Sequence, residues 1–251
     1  MASFVGEYIY KVESFHLDCT ERLSLSVLGN QLLNAAARHA QSFGFGREAL
    51  RREGLAWVFS RLLIQMEAPL HEYDTYAIRT WVADATRWFS QRQFAIVAAS
   101  GAVVGYATSV WALMDLATRH AADITALLPC YASIVCPAGE APACPVERTR
   151  RAVVSAAEPA LRFRPLFCDI DYNGHFNSIR YIEHLLDALP ADVCRSRAVH
   201  RMEISYSAEC RYGESLAVYL DNTTDGAYDA EIRKADGTVC CRSKIHFAPL
   251  E

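Results

Sequence analysis

The sequence predicts an α+β protein in which a long helix followed by a long antiparallel sheet is made twice in one chain. Three observations predict it. The 251 residues are 52% hydrophobic, ample for a sizeable core. Two stretches carry apolar residues at helical spacing. Each is followed by four runs rich in β-branched and aromatic residues, separated by short polar or Gly breaks.

In the first copy a strand, "GEYIYKVESF", leads to "SVLGNQLLNAAARHAQSFG", where Leu28, Leu32, Ala35, Ala36 and Ala40 recur at helical spacing until Gly44 stops the run. Four strands follow: "LAWVFSRLLIQME", "TYAIRTWVAD", "RWFSQRQFAIVAA" and "AVVGYATSVWALMD". In the second copy "LRFRPLFCDID" leads to a helix predicted over residues 176–189, with Ile179, Ile182, Leu186 and Leu189 as one stripe and Pro190 at its end. Strands follow at "VHRMEISYSAEC", "ESLAVYLDN", "GAYDAEIRKAD" and "TVCCRSKIHFA". Between the copies lie Pro129, Pro137, Pro142, Pro145 and Pro159, a linker with a helical turn or two near its start. The expected division is residues 1–118, a linker over 119–159, and 160–251. Each helix buries its stripe on a curved sheet, and joining the two sheets edge to edge hides exposed strand edges.

Composition excludes several classes. The first residues lack a basic start with an apolar run and a small-residue cleavage site, and no 18-residue apolar stretch occurs, so neither export nor membrane insertion is expected. Nine cysteines without paired C-x-x-C spacing fit a reducing cytoplasm better than a disulfide framework or a structural zinc. A net charge of −4 argues against bulk nucleic-acid binding.

The chemistry concentrates in "CDIDYNGHFNSIRYIEHLLDALP", where Asp171, Asn173 and His175 stand two residues apart just before the second apolar stripe. Read alone, Asp171 and Asn173 are helix caps, since both accept from first-turn N–H groups. Glu209 alternates with Ser207, Ser205 and Glu203, which is the pattern of an exposed strand face, while Cys210 shares the opposite, core face with Met202, Ile204, Tyr206 and Ala208. Backbone N–H groups around Gly174 to Phe176, at the positive end of a helix dipole, suit an oxyanion.

These residues carry a resemblance that covers most of the chain. Asp171-x-Asn173-x-His175-x-Asn177 followed by Tyr181-Ile182, the segment "ISYSAECRYGESL" with Glu209-Cys210, and "LAWVFSRLLIQMEAPLHEYDTYAIRTWV" and "SVWALMDLATRH" in the first half resemble the acyl-ACP thioesterases. The resemblance implies a tandem (double) hotdog fold, with 1–118 as an N-terminal hotdog bearing the acyl-chain pocket and 160–251 as a C-terminal catalytic hotdog. It implies hydrolysis of fatty acyl-acyl carrier protein without a cofactor or metal, with Asp171, Asn173, His175 and Glu209 as the catalytic group. Gly174 and Phe176 would contact substrate through their backbone, and Asn30 and Leu33, with Leu28, Leu32 and Ala36, would line the acyl pocket.

The chemistry suits that assignment: a carboxylate can take a proton from water, His175 can pass one to the departing thiol, and an Asn amide can orient water or substrate. Cys210 with His175 and Asn173 is the rival, a cysteine nucleophile, which the core-face parity disfavours. A hotdog hydratase or dehydratase and a non-catalytic acyl-binding module fit the same residues. The partner implied is an acidic acyl carrier protein with its phosphopantetheine arm, docked by some of Arg148, Arg150, Arg151, Arg162, Arg164, Arg180, Arg195, Arg197, Arg201 and Arg211; a second copy of the chain is a further candidate partner.

Overall fold

The computed structural model describes residues 3–147 and 149–250. Among the described residues, ten strands join one antiparallel sheet in the order β1-β3-β4-β5-β2-β7-β10-β9-β8-β6. The first five are β1 (Gly6–Lys11), β2 (Leu55–Met66), β3 (Thr75–Ala85), β4 (Phe89–Ala98) and β5 (Val103–Asp115). The second five are β6 (Leu161–Phe163), β7 (Arg197–Tyr206), β8 (Leu216–Thr224), β9 (Ala227–Lys234) and β10 (Val239–Pro249). Read outward from the centre, both halves have the same strand order. They meet where β2 pairs with β7, from Arg61 opposite Ser205 to Gln65 opposite Arg201, so each half covers the other's edge. Register shifts such as those at Phe59/Arg61 and Val82/Asp84 increase the local twist and let so long a sheet curve.

Helix α1 (Leu25–Ser42) is capped by Ser24, whose hydroxyl accepts from Val27 N. Its buried face is Leu28, Leu32, Ala35 and Ala36 as the spacing predicts, but His39 rather than Ala40 is the last buried residue. Two short helices follow it in chain order, α2 (Arg47–Arg52) and, in the linker, α3 (Ile124–Leu127). Helix α4 (Arg180–Asp187) starts four residues later than predicted, because residues 170–176 close a loop instead, and α5 (Ala191–Ser196) follows Pro190. The buried face of α4 is Tyr181, Ile182 and Leu185, flanked by Ile179 and Leu189. Leu186, expected on that stripe, is only partly buried.

Both helices share one core, and they cross at Gly29, where an added Cβ would lie 2.9 Å from Ile179 Cδ1. Only a residue without a side chain lets the helices approach so closely. Burying residues such as Leu28, Leu32, Ile182 and Leu185 contributes about 1.5–3 kcal/mol each.

The linker crosses the face of the sheet away from α1 and α4. Thr149 N and Oγ1 bond Glu203, Val153 N bonds Asp229, and Ser155 and Ala156 N bond Asp221. These carboxylates give a proline-interrupted segment the acceptors that its own ladder cannot supply. Glu203 is therefore buried rather than exposed. Burial opposes its ionisation, yet hydrogen bonds from Arg201 and Thr149 outweigh that and lower its pKa.

Candidate active site

The polar motif is a loop built around one carboxylate. Asp171 Oδ1 accepts from Asn173 N at 2.8 Å and His175 N at 3.1 Å, while Gly174 N returns to Asp171 O. Gly174 adopts φ +79°, a conformation open to glycine at little cost. Phe176 N reaches Cys210 O at 2.7 Å and Asn177 N reaches Asp169 O at 2.8 Å. Asn177 Oδ1 then accepts from Ile179 N, so Asn177, not Asp171, caps the approach to α4. The expected oxyanion donors are thus already bonded, Gly174 N and His175 N to Asp171 within the loop and Phe176 N to Cys210 O across from it. Phe176 itself is buried, its ring 4.2 Å from that of Tyr181.

Glu209 does not lie on a strand, since β7 ends at Tyr206 and Ser207 N and Ala208 N both turn to Cys240 O. Strand alternation therefore does not apply at these two residues, yet Glu209 is exposed and Cys210 fully buried. The Phe176–Cys210 backbone bond brings the two segments together, and His175 Nε2 stands 3.1 Å from Glu209 Oε2.

Cys210 lies among Tyr181, Cys240 and Cys241. Hydrogen bonding from Cys240 lowers its thiol and raises that of Cys240 in turn, while burial pushes Cys241 up. A thiolate there would have no access to solvent.

The same loop occurs in the first half. Asp18 Oδ1 accepts from Thr20 N at 2.8 Å, Asp18 N bonds Arg22 O, Glu21 N bonds Asp18 O at φ +60°, and Leu23 N reaches Leu70 O. Bridges Leu17–Leu23 and Ile170–Phe176 close the two loops alike. Thr20, Arg22, Ser24 and Pro69 stand where the second half has Asn173, His175, Asn177 and Glu209. The aspartate common to both accepts backbone N–H groups of its loop, whereas Asn173, His175 and Glu209 have no like residue at the matching places in the first half.

The first half also reaches into this site. Arg119 Nη2 lies 2.7 and 2.6 Å from Glu209 Oε1 and Oε2, and the Arg47 guanidinium lies 4.6 Å from the centre of the Tyr172 ring. Sequence reasoning missed both arginines, which are far from the motif in the chain. The available signal was the charged break "ATRH" directly after β5. Because Arg119 and Glu209 are 47% and 42% exposed, their pair is worth only about 0.2–1 kcal/mol of stability.

A shallow recess lined by Phe167, Cys168, Ile170, Asp171, Tyr172 and Tyr212 opens beside the loop. Asn30 is exposed on α1 and Leu33 partly buried; neither is hydrogen-bonded to the polar group among the described residues. Among the same residues no cluster of three or more His, Cys, Asp or Glu could hold a metal ion, and no helix is long and apolar enough to cross a membrane.

Of the basic residues singled out, Arg180, Arg197 and Arg201 are paired with Glu183, Asp225 and Glu203. Arg151, Arg162 and Arg164 line a groove with Arg233, Lys234 and Arg242, apart from the polar group, and Arg148 lies outside the described residues.

Two curved sheet halves around two helices define a tandem hotdog fold, with a histidine–carboxylate pair beside the second helix. Comparison with known proteins places it. Residues 5–128 match the acyl-ACP thioesterase N-terminal domain and 155–249 the acyl-ACP thioesterase C-terminal domain. The crystal structure of an acyl-ACP thioesterase from Bacteroides thetaiotaomicron superposes with a TM-score of 0.90 at 37% identity, covering 97% of this chain and 98% of that one. The 12:0-ACP thioesterase from Umbellularia californica, at 18% identity, shares the fold with a TM-score of 0.85 over 100% and 99% of the two chains. The chloroplastic oleoyl-acyl carrier protein thioesterase 2 of Arabidopsis thaliana is 23% identical over 248 residues, 94% of this chain and 68% of its own length. The chloroplastic palmitoyl-acyl carrier protein thioesterase of Gossypium hirsutum is 23% identical over 268 residues, 96% and 63% respectively. The chain belongs to the acyl-ACP thioesterase family and is a thioester hydrolase.

Proposed function

We propose that this protein hydrolyses the thioester of fatty acyl-acyl carrier protein, releasing free fatty acid, with Glu209, His175 and Asn173 as the working groups and Asp171 holding their loop. The observation that carries this reading is the 3.1 Å His175–Glu209 contact on a loop whose first-half counterpart keeps the aspartate and lacks both partners. Water's oxygen bonds to the thioester carbon while Glu209 takes its proton. The proton passes to His175 and on to the sulfur as the C–S bond breaks, leaving carboxylic acid and thiol. Asn173, exposed at the loop's tip, supplies the amide donor to the carbonyl oxygen in place of the occupied backbone N–H groups.

The acyl chain is assigned to the first half, along the α1 face that bears Leu28, Leu32, Leu33 and Ala36, in keeping with the division at 1–118 and 160–251 about the linker. Cytoplasm suits nine cysteines that are all free. Docking of an acidic carrier is assigned to the groove of Arg151, Arg162 and Arg164, none of which is paired with a carboxylate among the described residues. Lys234 at its edge bonds Glu214, which accepts from Arg211 N two residues beyond Glu209.

The test is turnover of acyl-ACP against the matching acyl-CoA over a range of salt. The reading expects acyl-ACP to be favoured at low salt and the advantage to shrink as salt screens the groove. Equal turnover of both carriers at low salt would contradict the carrier assignment.

A further inference from the structure

We infer that Arg119, contributed by the turn after β5 within the matched N-terminal domain, is a positioning residue for Glu209, so that the reaction centre is complete only with a residue from outside the C-terminal half. The inference rests on the reading of Glu209 and His175 as the acid–base pair. A single nitrogen, Arg119 Nη2, faces both Glu209 oxygens, and one of these, Oε2, also faces His175 Nε2. The carboxylate is thereby held between a histidine that can exchange a proton and a guanidinium that cannot. Arg119 fixes the carboxylate's orientation toward His175, without itself taking or giving a proton.

The turn that presents Arg119 is built for the purpose. At the end of β5, Asp115 Oδ1 accepts from Ala117 N, Thr118 N and Thr118 Oγ1, and Asp115 O accepts from Arg119 N at 2.9 Å. Those bonds, the one from Thr118 N first, lower the Asp115 pKa. Leu116 N bonds Gly54 O, and Asp115 N bonds His120 O. At the turn's end Arg119 takes φ +61°, a left-handed conformation that glycine adopts more easily. An arginine in that strained place, aimed at a catalytic carboxylate, points to function rather than to turn chemistry.

Arg119→Ala, Arg119→Gln and Arg119→Lys should be compared with wild type on acyl-ACP and on the matching acyl-N-acetylcysteamine thioester, which carries no phosphate, after thermal unfolding shows each variant folded. Arg119→Ala and Arg119→Gln should lower kcat about 10- to 100-fold on both substrates with KM little changed, as expected when a catalytic group loses its orientation. Because one nitrogen faces both oxygens, Arg119→Lys should retain more turnover than Arg119→Gln, and added guanidinium should restore part of the loss in Arg119→Ala. A rise in KM confined to acyl-ACP would overturn the inference by making Arg119 a docking residue. So would wild-type kcat in Arg119→Ala, or a loss that guanidinium leaves untouched. Wild-type enzyme that releases no thiol from either substrate would instead overturn the acid–base reading, and this inference with it.

Discussion

His175 Nε2 faces Glu209 Oε2 at 3.1 Å, and one backbone bond, Phe176 N to Cys210 O at 2.7 Å, holds their two segments together. Function follows from that contact if His175 moves the proton to sulfur. His175→Ala should lower kcat/KM by about 10²- to 10⁴-fold. Circular dichroism and thermal unfolding should remain near wild type, since the backbone bonds that hold the loop are unaffected. Near wild-type turnover in the folded variant would remove His175 from the reaction.

Asp171 is predicted to act through the loop. Asp171→Asn keeps an Oδ1 acceptor for Asn173 N and His175 N, so it should preserve most of the activity and stability. Asp171→Ala leaves both donors without that acceptor and should lose about 1 kcal/mol of stability along with most of kcat. Steady-state kinetics beside denaturant unfolding distinguishes the two. Equal, complete inactivation of both variants would make the Asp171 charge itself catalytic.

Glu209→Gln keeps shape while removing the proton acceptor and should abolish most turnover in a folded protein. Cys210→Ala should cost modest stability and leave turnover largely intact, because the thiol is sealed in a core with Tyr181, Cys240 and Cys241. Intact-mass spectra of wild-type enzyme quenched during turnover should show no acyl adduct. An acyl group on Cys210, with a dead Cys210→Ala, would reverse the assignment.

The strands were legible because alternating and doubly buried runs such as "TYAIRTWVADA" and "VVGYATSVWALMD" are long and cleanly punctuated. The start of α4 was not. Phe176 looks like the first apolar residue of the helix, but it closes a bridge with Ile170, a contact that periodicity does not register. Leu185 rather than Leu186 faces the core, a one-residue difference in rotation that the spacing of the stripe does not register. Asp171, Asn173 and His175 could be found from their spacing, whereas Arg119 showed only as part of a charged break after β5. Its partner lies 90 residues away, and only the folded turn aims it. The loop repeat was hidden for a related reason: Asp18 and Asp171 share a backbone geometry, while the side chains around them diverge.

Acid should weaken the fold through His39. Its ring lies between Ser3 O and the Arg92 guanidinium, which must donate to Nδ1, so Nε2 carries the proton and bonds Ser3 O. Burial first, and then the Arg92 charge, lower its pKa from 6.5 to about 4. The unfolded chain therefore binds a proton that the folded one refuses. The resulting stability is present above pH 6.5 and is lost as pH falls toward 4, on the order of 2–3 kcal/mol. Urea unfolding from pH 7 to 4 should show the decline, and His39→Gln, which can still accept from Arg92 and donate to Ser3, should flatten it. An unchanged slope in that variant would assign the acid sensitivity elsewhere.

Hydrolysis at the carrier's thioester is read out by incubating purified enzyme with acyl-ACP in H₂¹⁸O, followed by intact-mass analysis of the carrier and of the released lipid. This avoids thiol reagents, which the exposed cysteines of the enzyme would also consume. Hydrolysis should yield carrier with a free thiol and fatty acid bearing one ¹⁸O in its carboxyl group, with both products lost in Glu209→Gln. Carrier that keeps its acyl group unchanged, or gains the mass of water while remaining acylated, would contradict it and indicate acyl binding or hydration instead.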